Sequence, residues 1–194
     1  MTSKKILFEL HEKILNMLKE KLPVELTYHT YDHTIDVMEA AEQIAKAEKV
    51  DEDDLILLKT AAVFHDIGYI YTRENHEQES CSIARELLAS IGIENKYIEK
   101  VCELILATKI PQNPKNKLSE IICDADLDYL GREDYFPISQ NMFNEFKYFG
   151  IVNNKNEWKN LQIRFLESHN YFTQTSISTR KDKKEENLKM IRNS

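Results

Sequence analysis

The sequence predicts a single all-helical domain, and three observations support this fold class. Only four glycines and four prolines occur among the 194 residues, about 4% against a usual share of roughly 12%. Apolar residues recur at three- to four-residue spacing through most of the chain, which is the helical period. The hydrophobic content of 42% is enough for a packed core. No repeat, low-complexity stretch or linker divides residues 1–194, so a turn-rich β-sandwich or barrel is disfavoured.

The apolar periodicity predicts the helices in order. The first covers residues 4–22 and ends before Pro23, because proline cannot continue a helix. The second covers about 30–49, and Asp51 is a suitable N-cap for a third helix that runs from Leu55 to about Asp66. This third helix is apolar on nearly all sides and is expected to be central. The later periodic or apolar segments are 76–91, 95–108, 118–123, 138–149 and 157–172, with a loop over 109–117 and a solvated terminal helix over 179–194.

Composition excludes several functional classes. The net charge of −7 makes a nucleic-acid binder with a dominant basic face unlikely. No signal-peptide core and no apolar run of membrane-spanning length is visible, so no membrane association is expected. The cysteines Cys81, Cys102 and Cys123 are odd in number and lack Cys-x-x-Cys spacing. We therefore interpret them as buried free thiols of a cytoplasmic protein.

Three separate segments place histidine or aspartate among apolar residues. His65 and Asp66 interrupt an apolar run, His29 and His33 lie four residues apart at a helix start, and Asp124 and Asp126 follow the apolar 118–123 segment. A buried unpaired carboxylate costs several kcal/mol, so Asp66 needs a partner. A purely structural alternative is that Asp66 caps a neighbouring turn while His65 donates to a backbone carbonyl.

A divalent metal ion would explain all three segments together. Imidazole and carboxylate groups suit such ions, and ligation cancels buried negative charge. A calcium loop starting at Asp124 is rejected because Tyr129 and Tyr135 occupy the positions that require Gly and Glu. His76-Glu-Gln-Glu-Ser80 lacks the second histidine of a zincin motif.

The order of these residues resembles a known signature. His33, then His65-Asp66 within Phe-His-Asp-Ile-Gly, then Asp126 within Ala-Asp-Leu, looks like the H…HD…D pattern of the HD-domain superfamily of metal-dependent phosphohydrolases. The resemblance covers about residues 28–131, leaving C-terminal helices over 138–194. It implies an all-α fold with His33, His65, Asp66 and Asp126 as metal ligands. His76, in the Asn-His-Glu stretch that often follows in this family, is a further candidate ligand.

The segment from Tyr28 to Val37 is also similar to the Tyr-His-Asn-x-x-His motif of class I cyclic-nucleotide phosphodiesterases, although Thr30 replaces the asparagine. That similarity makes His29 the candidate general acid. Asp66 is the second candidate catalytic residue, because it could bridge to a second ion. The implied cofactor is one or two divalent ions, among Mn, Mg, Fe, Co, Ni or Zn.

The resemblance implies hydrolysis of a small phosphorylated metabolite or nucleotide, as a monoester or diester, by metal-activated water. Lys109, Arg132 and Asp124 are the candidate substrate-binding residues. Two alternatives remain: a di-iron oxygenase on the same scaffold, which would need His29 or His76 as extra ligands, and a non-catalytic metal-binding sensor or partner-binding module. The sequence does not indicate the oligomeric state.

Overall fold

The computed structural model describes residues 3–193. Within this range the chain is helical, with no strand. The helices are α1 (Ser3–Lys21), α2 (Tyr31–Ala47), α3 (Glu52–Phe64), α4 (His76–Ser90), α5 (Asn95–Ala107), α6 (Lys117–Asp126), α7 (Tyr135–Tyr148), α8 (Lys155–Ser168) and α9 (Gln174–Asn193), with 3-10 segments at Ile67–Ile70 and Asp128–Gly131. The all-α prediction is confirmed.

Helix α3 forms the centre of the main core, as its apolar sequence predicts. Its residues Leu58, Ala61, Val63 and Phe64 have no exposed surface, and α1, α2, α4, α5 and α6 surround it. Asp51 caps α3 by accepting a hydrogen bond from the Asp54 backbone N–H at 2.9 Å. The core therefore encloses the end of α3, where the chain runs directly into His65 and Asp66.

The C-terminal helices form a second layer of packing. Helices α7, α8 and α9 enclose two apolar clusters, one around Tyr129, Leu130 and Leu166 and one around Phe143 and Trp158. In the second cluster the Phe143 and Trp158 rings lie 6.2 Å apart between their centroids. This layer lies against the end of α6, so it borders the residues of the H…HD…D pattern.

Two expectations for the C-terminal region are corrected. The helix expected over 157–172 ends at Ser168, because the backbone N–H groups of Phe172 and Thr173 bond to the Asp124 carboxylate instead of continuing the helix. The prediction of a solvated terminal helix is also wrong. Helix α9 packs against the 128–131 segment, and Asn187 is buried and donates to the Leu130 carbonyl.

Further features match the sequence interpretation. Cys81, Cys102 and Cys123 are all buried and free. Across residues 3–193, none of the helices has both the length and the apolar character that a membrane span needs.

Candidate metal centre

Three helix ends place the four side chains of the H…HD…D pattern together. His33 lies in the first turn of α2, whose start is capped by Thr30 accepting from the His33 backbone N–H. His65 and Asp66 follow the last residue of α3, and Asp126 is the last residue of α6. Helix ends have unpaired backbone groups and turns, so they can direct polar side chains inward without breaking a helix interior.

The ligand atoms converge closely. The His33 and His65 Nε2 atoms lie 3.4 Å apart, and Asp66 Oδ2 lies 3.1 Å from His65 Nε2 and 3.5 Å from His33 Nε2. Asp126 Oδ1 lies 3.3 Å from His33 Nε2 and 3.6 Å from His65 Nε2. Metal–ligand distances of about 2.0–2.2 Å separate neighbouring donors by about 2.8–3.6 Å in octahedral or tetrahedral geometry. The observed spacing therefore fits one small divalent cation.

Hydrogen bonds on the outer side fix the orientation of His65. Its Nδ1 atom is 2.7 Å from the Ala62 carbonyl, so Nδ1 carries the proton and Nε2 faces the cluster. The Ser80 hydroxyl donates to the His65 carbonyl and accepts from the Gly68 backbone N–H. The doublet is thus held by second-layer contacts typical of metal-ligating histidines.

Asp66 carries the strongest evidence that a cation belongs here. Its Oδ2 atom is buried and has no hydrogen-bond partner among the described residues, although an orphaned buried acceptor costs about 1–3 kcal/mol or more when charged. Asp66 also makes no side-chain capping bond to the 67–70 segment. The alternative in which Asp66 serves only to cap a neighbouring turn is therefore wrong. The second part of that alternative, a hydrogen bond from His65 to a backbone carbonyl, is observed.

The electrostatics of the pocket favour positive charge. Burial raises the pKa of Asp66, but His65 and the other histidines outweigh it, so the pKa lies well below the ordinary value. Burial likewise raises the pKa of Asp126, and the neighbouring His33 and His65 side chains lower it overall to about 2. Among residues 3–193, the ion pairs of Asp66 and Asp126 involve histidines only.

His29 lies beside this cluster and is positioned by α7. The buried Glu145 carboxylate contacts His29 Nδ1 and accepts the backbone N–H groups of Tyr28 and His29 at 2.8 and 3.1 Å. Burial lowers the pKa of His29, but Glu145 outweighs it and raises the pKa above the ordinary value. The opposite ring nitrogen, Nε2, lies 3.3 Å from the Tyr69 hydroxyl.

His76 completes the arrangement from the start of α4. Its Nδ1 faces the Arg73 carbonyl at 3.3 Å, and its Nε2 lies 3.4 Å from Asp66 Oδ1. Tyr69 stacks on the His76 ring at a centroid distance of 3.9 Å and on the His29 ring at 4.5 Å. One carboxylate oxygen of Asp66 therefore faces the main cluster, and the other faces His76.

Comparison with known proteins identifies the family. The sequence profile of the HD domain matches residues 30–128, which includes His33, His65, Asp66 and Asp126. The chain belongs to the HD domain family. Domains of this family bind divalent metals, and the buried His33–His65–Asp66 group is the candidate site in the part of the chain that the structure describes. No curated protein matches the sequence significantly.

Solved structures share the fold of this HD domain protein over nearly its whole length. Bacillus subtilis YpgQ in complex with ADP has a TM-score of 0.67 and 20% identity, and the match covers 96% of this chain and 94% of that one. A predicted HD superfamily hydrolase from an uncultured Thermotogales bacterium has a TM-score of 0.62 and 23% identity, with coverage of 96% and 95%. The C-terminal helices therefore belong to the shared architecture.

The predicted substrate-binding residues of the HD domain protein fall in different places. Lys109 is near the metal cluster, because its Nζ donates to Asn75, the residue before His76, at 3.1 Å. Arg132 instead pairs with Asp36 and Asp134.

Asp124 is a correction among these residues. Its carboxylate has no exposed surface and accepts hydrogen bonds from Phe172 N–H, Thr173 N–H and the Thr173 hydroxyl. It is therefore a structural residue that holds the end of the α8–α9 connection and has no surface to offer to a substrate.

A cavity of about 270 Å³ opens beside the cluster, and its lining includes both Asp126 and His29. Its walls come largely from α7 and α8, including Phe146, Trp158 and Phe165.

Sequence reasoning missed Glu145 and Tyr69. Tyr69 directly follows the His-Asp-Ile-Gly stretch, and this proximity was the available signal. Glu145 had none, because it lies 116 residues from His29 among ordinary helical residues.

Proposed function

We propose that this HD domain protein is a metal-dependent phosphohydrolase acting on a small phosphorylated metabolite or nucleotide. One observation carries the proposal: the buried, unpartnered Oδ2 of Asp66 lies among three further ligand groups at metal-binding spacing. The ADP bound to the Bacillus subtilis relative supports a phosphorylated ligand, as does Lys109 near the cluster.

The residues divide into distinct roles in this proposal. His33, His65, Asp66 and Asp126 would hold a divalent ion, and His76 would supply a ligand for a second ion. Such an ion, when bound, would lower the pKa of a water molecule and neutralise charge on a phosphoryl oxygen.

His29 is the proposed general acid for the departing oxygen. Glu145 keeps its Nδ1 protonated and raises its pKa, so the imidazolium form is available for proton transfer at Nε2. The Nε2 side faces Tyr69, and the ring borders the 270 Å³ cavity. The acid is thereby placed between the ion site and the volume open to an organic leaving group.

The rim of the site supplies a cation for the phosphate. Lys109 is partly exposed. Its Nζ donates to the neutral Asn75 amide and lies 3.2 Å from the neutral Gln78 amide. A substrate phosphate could replace these neutral partners without breaking an ion pair. Arg132 would first have to leave Asp36 and Asp134, so Lys109 is the stronger of the two candidates.

The test is anaerobic metal analysis of freshly isolated protein, followed by a panel of phosphomonoesters and phosphodiesters with Mn²⁺, Mg²⁺, Co²⁺ or Fe²⁺. Hydrolysis, measured as phosphate release from monoesters and as alcohol release from diesters, should require metal and should be lost in His65→Ala and Asp66→Ala. A protein that binds metal but hydrolyses no ester of either kind would contradict the proposal. Iron-dependent O₂ consumption would instead favour the oxygenase alternative, and metal-dependent stabilisation alone would favour a sensor.

A further inference from the structure

The cavity beside the metal cluster has a largely apolar interior. It lies between the 128–131 segment, α7 and α8, and most of its lining residues lie outside the residues matched by the HD profile. Its walls are aromatic and aliphatic, with Tyr129, Phe146, Trp158 and Leu161 among them. Only its mouth carries catalytic groups, namely Asp126 and His29. The cavity is therefore continuous with the proposed active site but chemically distinct from it.

Charge determines which part of a substrate can enter. The described residues that line the cavity include no lysine or arginine, and a carboxyl group, that of Asp126, lies at the side of the ion site. A phosphate group inside the cavity would lose its hydration without gaining a lysine or arginine to balance its charge, which is unfavourable. Lys109 and the ion site, by contrast, lie outside the cavity, and the neighbouring Ile110 lines its edge. The phosphate therefore stays at the rim and an uncharged group points inward.

The cavity size limits that group. An apolar protein cavity of about 150 Å³ accommodates a benzene ring, so 270 Å³ has room for a fused two-ring system. The walls suit flat rings: Tyr129 and Tyr135 lie parallel within 5°, and Phe146 meets Trp158 edge to face at 75°. Aromatic surfaces arranged in this way favour stacked and edge contacts with another ring.

One polar cluster interrupts the apolar walls. The Gln162 amide bonds to the Tyr135 hydroxyl and the Ser139 hydroxyl, each at 2.6 Å, and all three residues line the cavity. Hydroxyl and amide groups can exchange hydrogen bonds with a neutral heteroatom on a ring. The cluster is uncharged, so it does not favour a charged substituent.

We propose that this cavity binds an uncharged fused-ring aromatic group of the substrate while the phosphate remains at the metal ions and Lys109. The inference rests on the proposed phosphohydrolase function and specifies its substrate class: a phosphate ester with a two-ring aromatic group next to the scissile bond or one short linker away. The ring can be a hydrocarbon or a neutral heterocycle such as a purine. A substitution in the polar cluster of Gln162, Tyr135 and Ser139 would distinguish a hydrocarbon ring from a heterocycle.

The test uses phosphonates, because their P–C bond is not hydrolysed and binding is measured separately from turnover. Naphthylmethylphosphonate and methylphosphonate share the charged group and differ in the ring. Calorimetry on the metal-loaded protein should show at least tenfold tighter binding of the naphthyl compound. Trp158 is the single tryptophan and lines the cavity, so its emission should change with the naphthyl ligand and not with methylphosphonate. A purine nucleoside phosphonate and its ribose-only counterpart form the second pair.

Two variants locate the binding. Leu161→Trp fills the cavity and should reduce the affinity ratio of naphthylmethylphosphonate to methylphosphonate to less than threefold. The same substitution at the exposed Leu106 should leave this ratio unchanged. Metal content and helicity verify that both variants fold. Gln162→Leu should weaken the purine phosphonate selectively if the ring is a heterocycle. Equal binding within both ligand pairs would overturn the cavity inference, even if phosphate release from small esters upholds the phosphohydrolase function.

Discussion

The Glu145 carboxylate on α7 accepts the Tyr28 and His29 backbone N–H groups with one oxygen and contacts His29 Nδ1 with the other. A single buried side chain thus fixes both the backbone and the ring of the candidate acid. Because α7 lies outside the residues matched by the HD profile, the C-terminal helices complete the site and do more than cover it.

Glu145→Gln tests this positioning role. The amide cannot stabilise a charged imidazolium as the carboxylate does, so protonation of the leaving oxygen should become less effective. We expect hydrolysis of alkyl phosphates to slow by about 10²-fold, in the range typical of general-acid catalysis. Dinitrophenyl phosphate, whose leaving group needs no proton, should slow by less than about threefold. Comparing kcat for the two esters is the measurement.

Glu86→Gln, on the exposed face of α4, is the matched control and should leave both rates unchanged. Glu145→Asp should recover part of the alkyl phosphate rate, because the negative charge is kept. If Glu145→Gln slowed both esters equally, Glu145 would have a general structural role and the assignment of His29 as acid would lose its support.

Metal removal should destabilise the protein through the four ligands. A ligand present at about 100 times its Kd stabilises the folded state by about 2.7 kcal/mol, which for this chain length corresponds to a Tm increase of about 5–10 °C. Scanning calorimetry with Mn²⁺ and with a chelator should show this difference in the wild type. His65→Ala should show none, and Asp182→Asn, at an exposed position on α9, should behave like the wild type.

The sequence was sufficient for the parts of the site that depend on local pattern. His33, His65, Asp66 and Asp126 stand out because each is polar within an apolar segment, and such residues must converge on a common partner. Their helix context is also local, since Thr30 and Asp51 are recognisable caps.

Long-range partners could not be predicted in this way. Asp124 and Asp126 look equivalent in sequence, being two residues apart after the same apolar segment. Their surroundings differ because residues two positions apart in a helix face different sides. Asp126 faces the histidines, and Asp124 faces the backbone of residues 172–173. The direction is set by packing of α6 between α2 and the C-terminal connection, which no local pattern encodes.

Asp124→Ala should accordingly affect stability more than chemistry. Removing the carboxylate leaves the Phe172 and Thr173 N–H groups without their acceptor, at a cost of about 1–3 kcal/mol for each group that stays buried. Urea denaturation should show a loss of about 2–4 kcal/mol, while kcat per folded molecule and metal content stay near wild type. Loss of substrate affinity with unchanged stability would instead restore Asp124 as a substrate-binding residue.

His11 should make stability depend on pH below neutrality. It is buried between α1 and α3, where its Nε2 contacts the Thr60 hydroxyl at 2.9 Å, and burial together with the Lys59 charge lowers its pKa from 6.5 to about 4. As pH falls from about 6.5 to 4, the unfolded chain binds a proton that the folded state does not, so stability decreases. The full effect is about 3 kcal/mol.

His11→Gln keeps a hydrogen-bonding group and cannot be protonated, so the comparison isolates this residue. Urea titrations with a chelator at pH about 7.5 and about 4.5 should show a smaller loss of unfolding free energy for the variant. An identical loss in both proteins would show that His11 titrates normally in the folded state.

Gly68→Ala should disturb the site through the backbone. A Cβ atom on Gly68 would lie 2.1 Å from the His76 carbonyl oxygen and 3.0 Å from the Ser80 nitrogen, so the start of α4 would have to move away from the 67–70 segment. We expect a loss of about 3 kcal/mol in unfolding free energy, as for an overpacked core. Displacement of His76 from Asp66 should also weaken metal binding.

Gly92→Asn is the control, because nothing lies within 4 Å of that position and asparagine tolerates positive φ. Wild-type stability in Gly68→Ala would show that α4 is not held against Gly68.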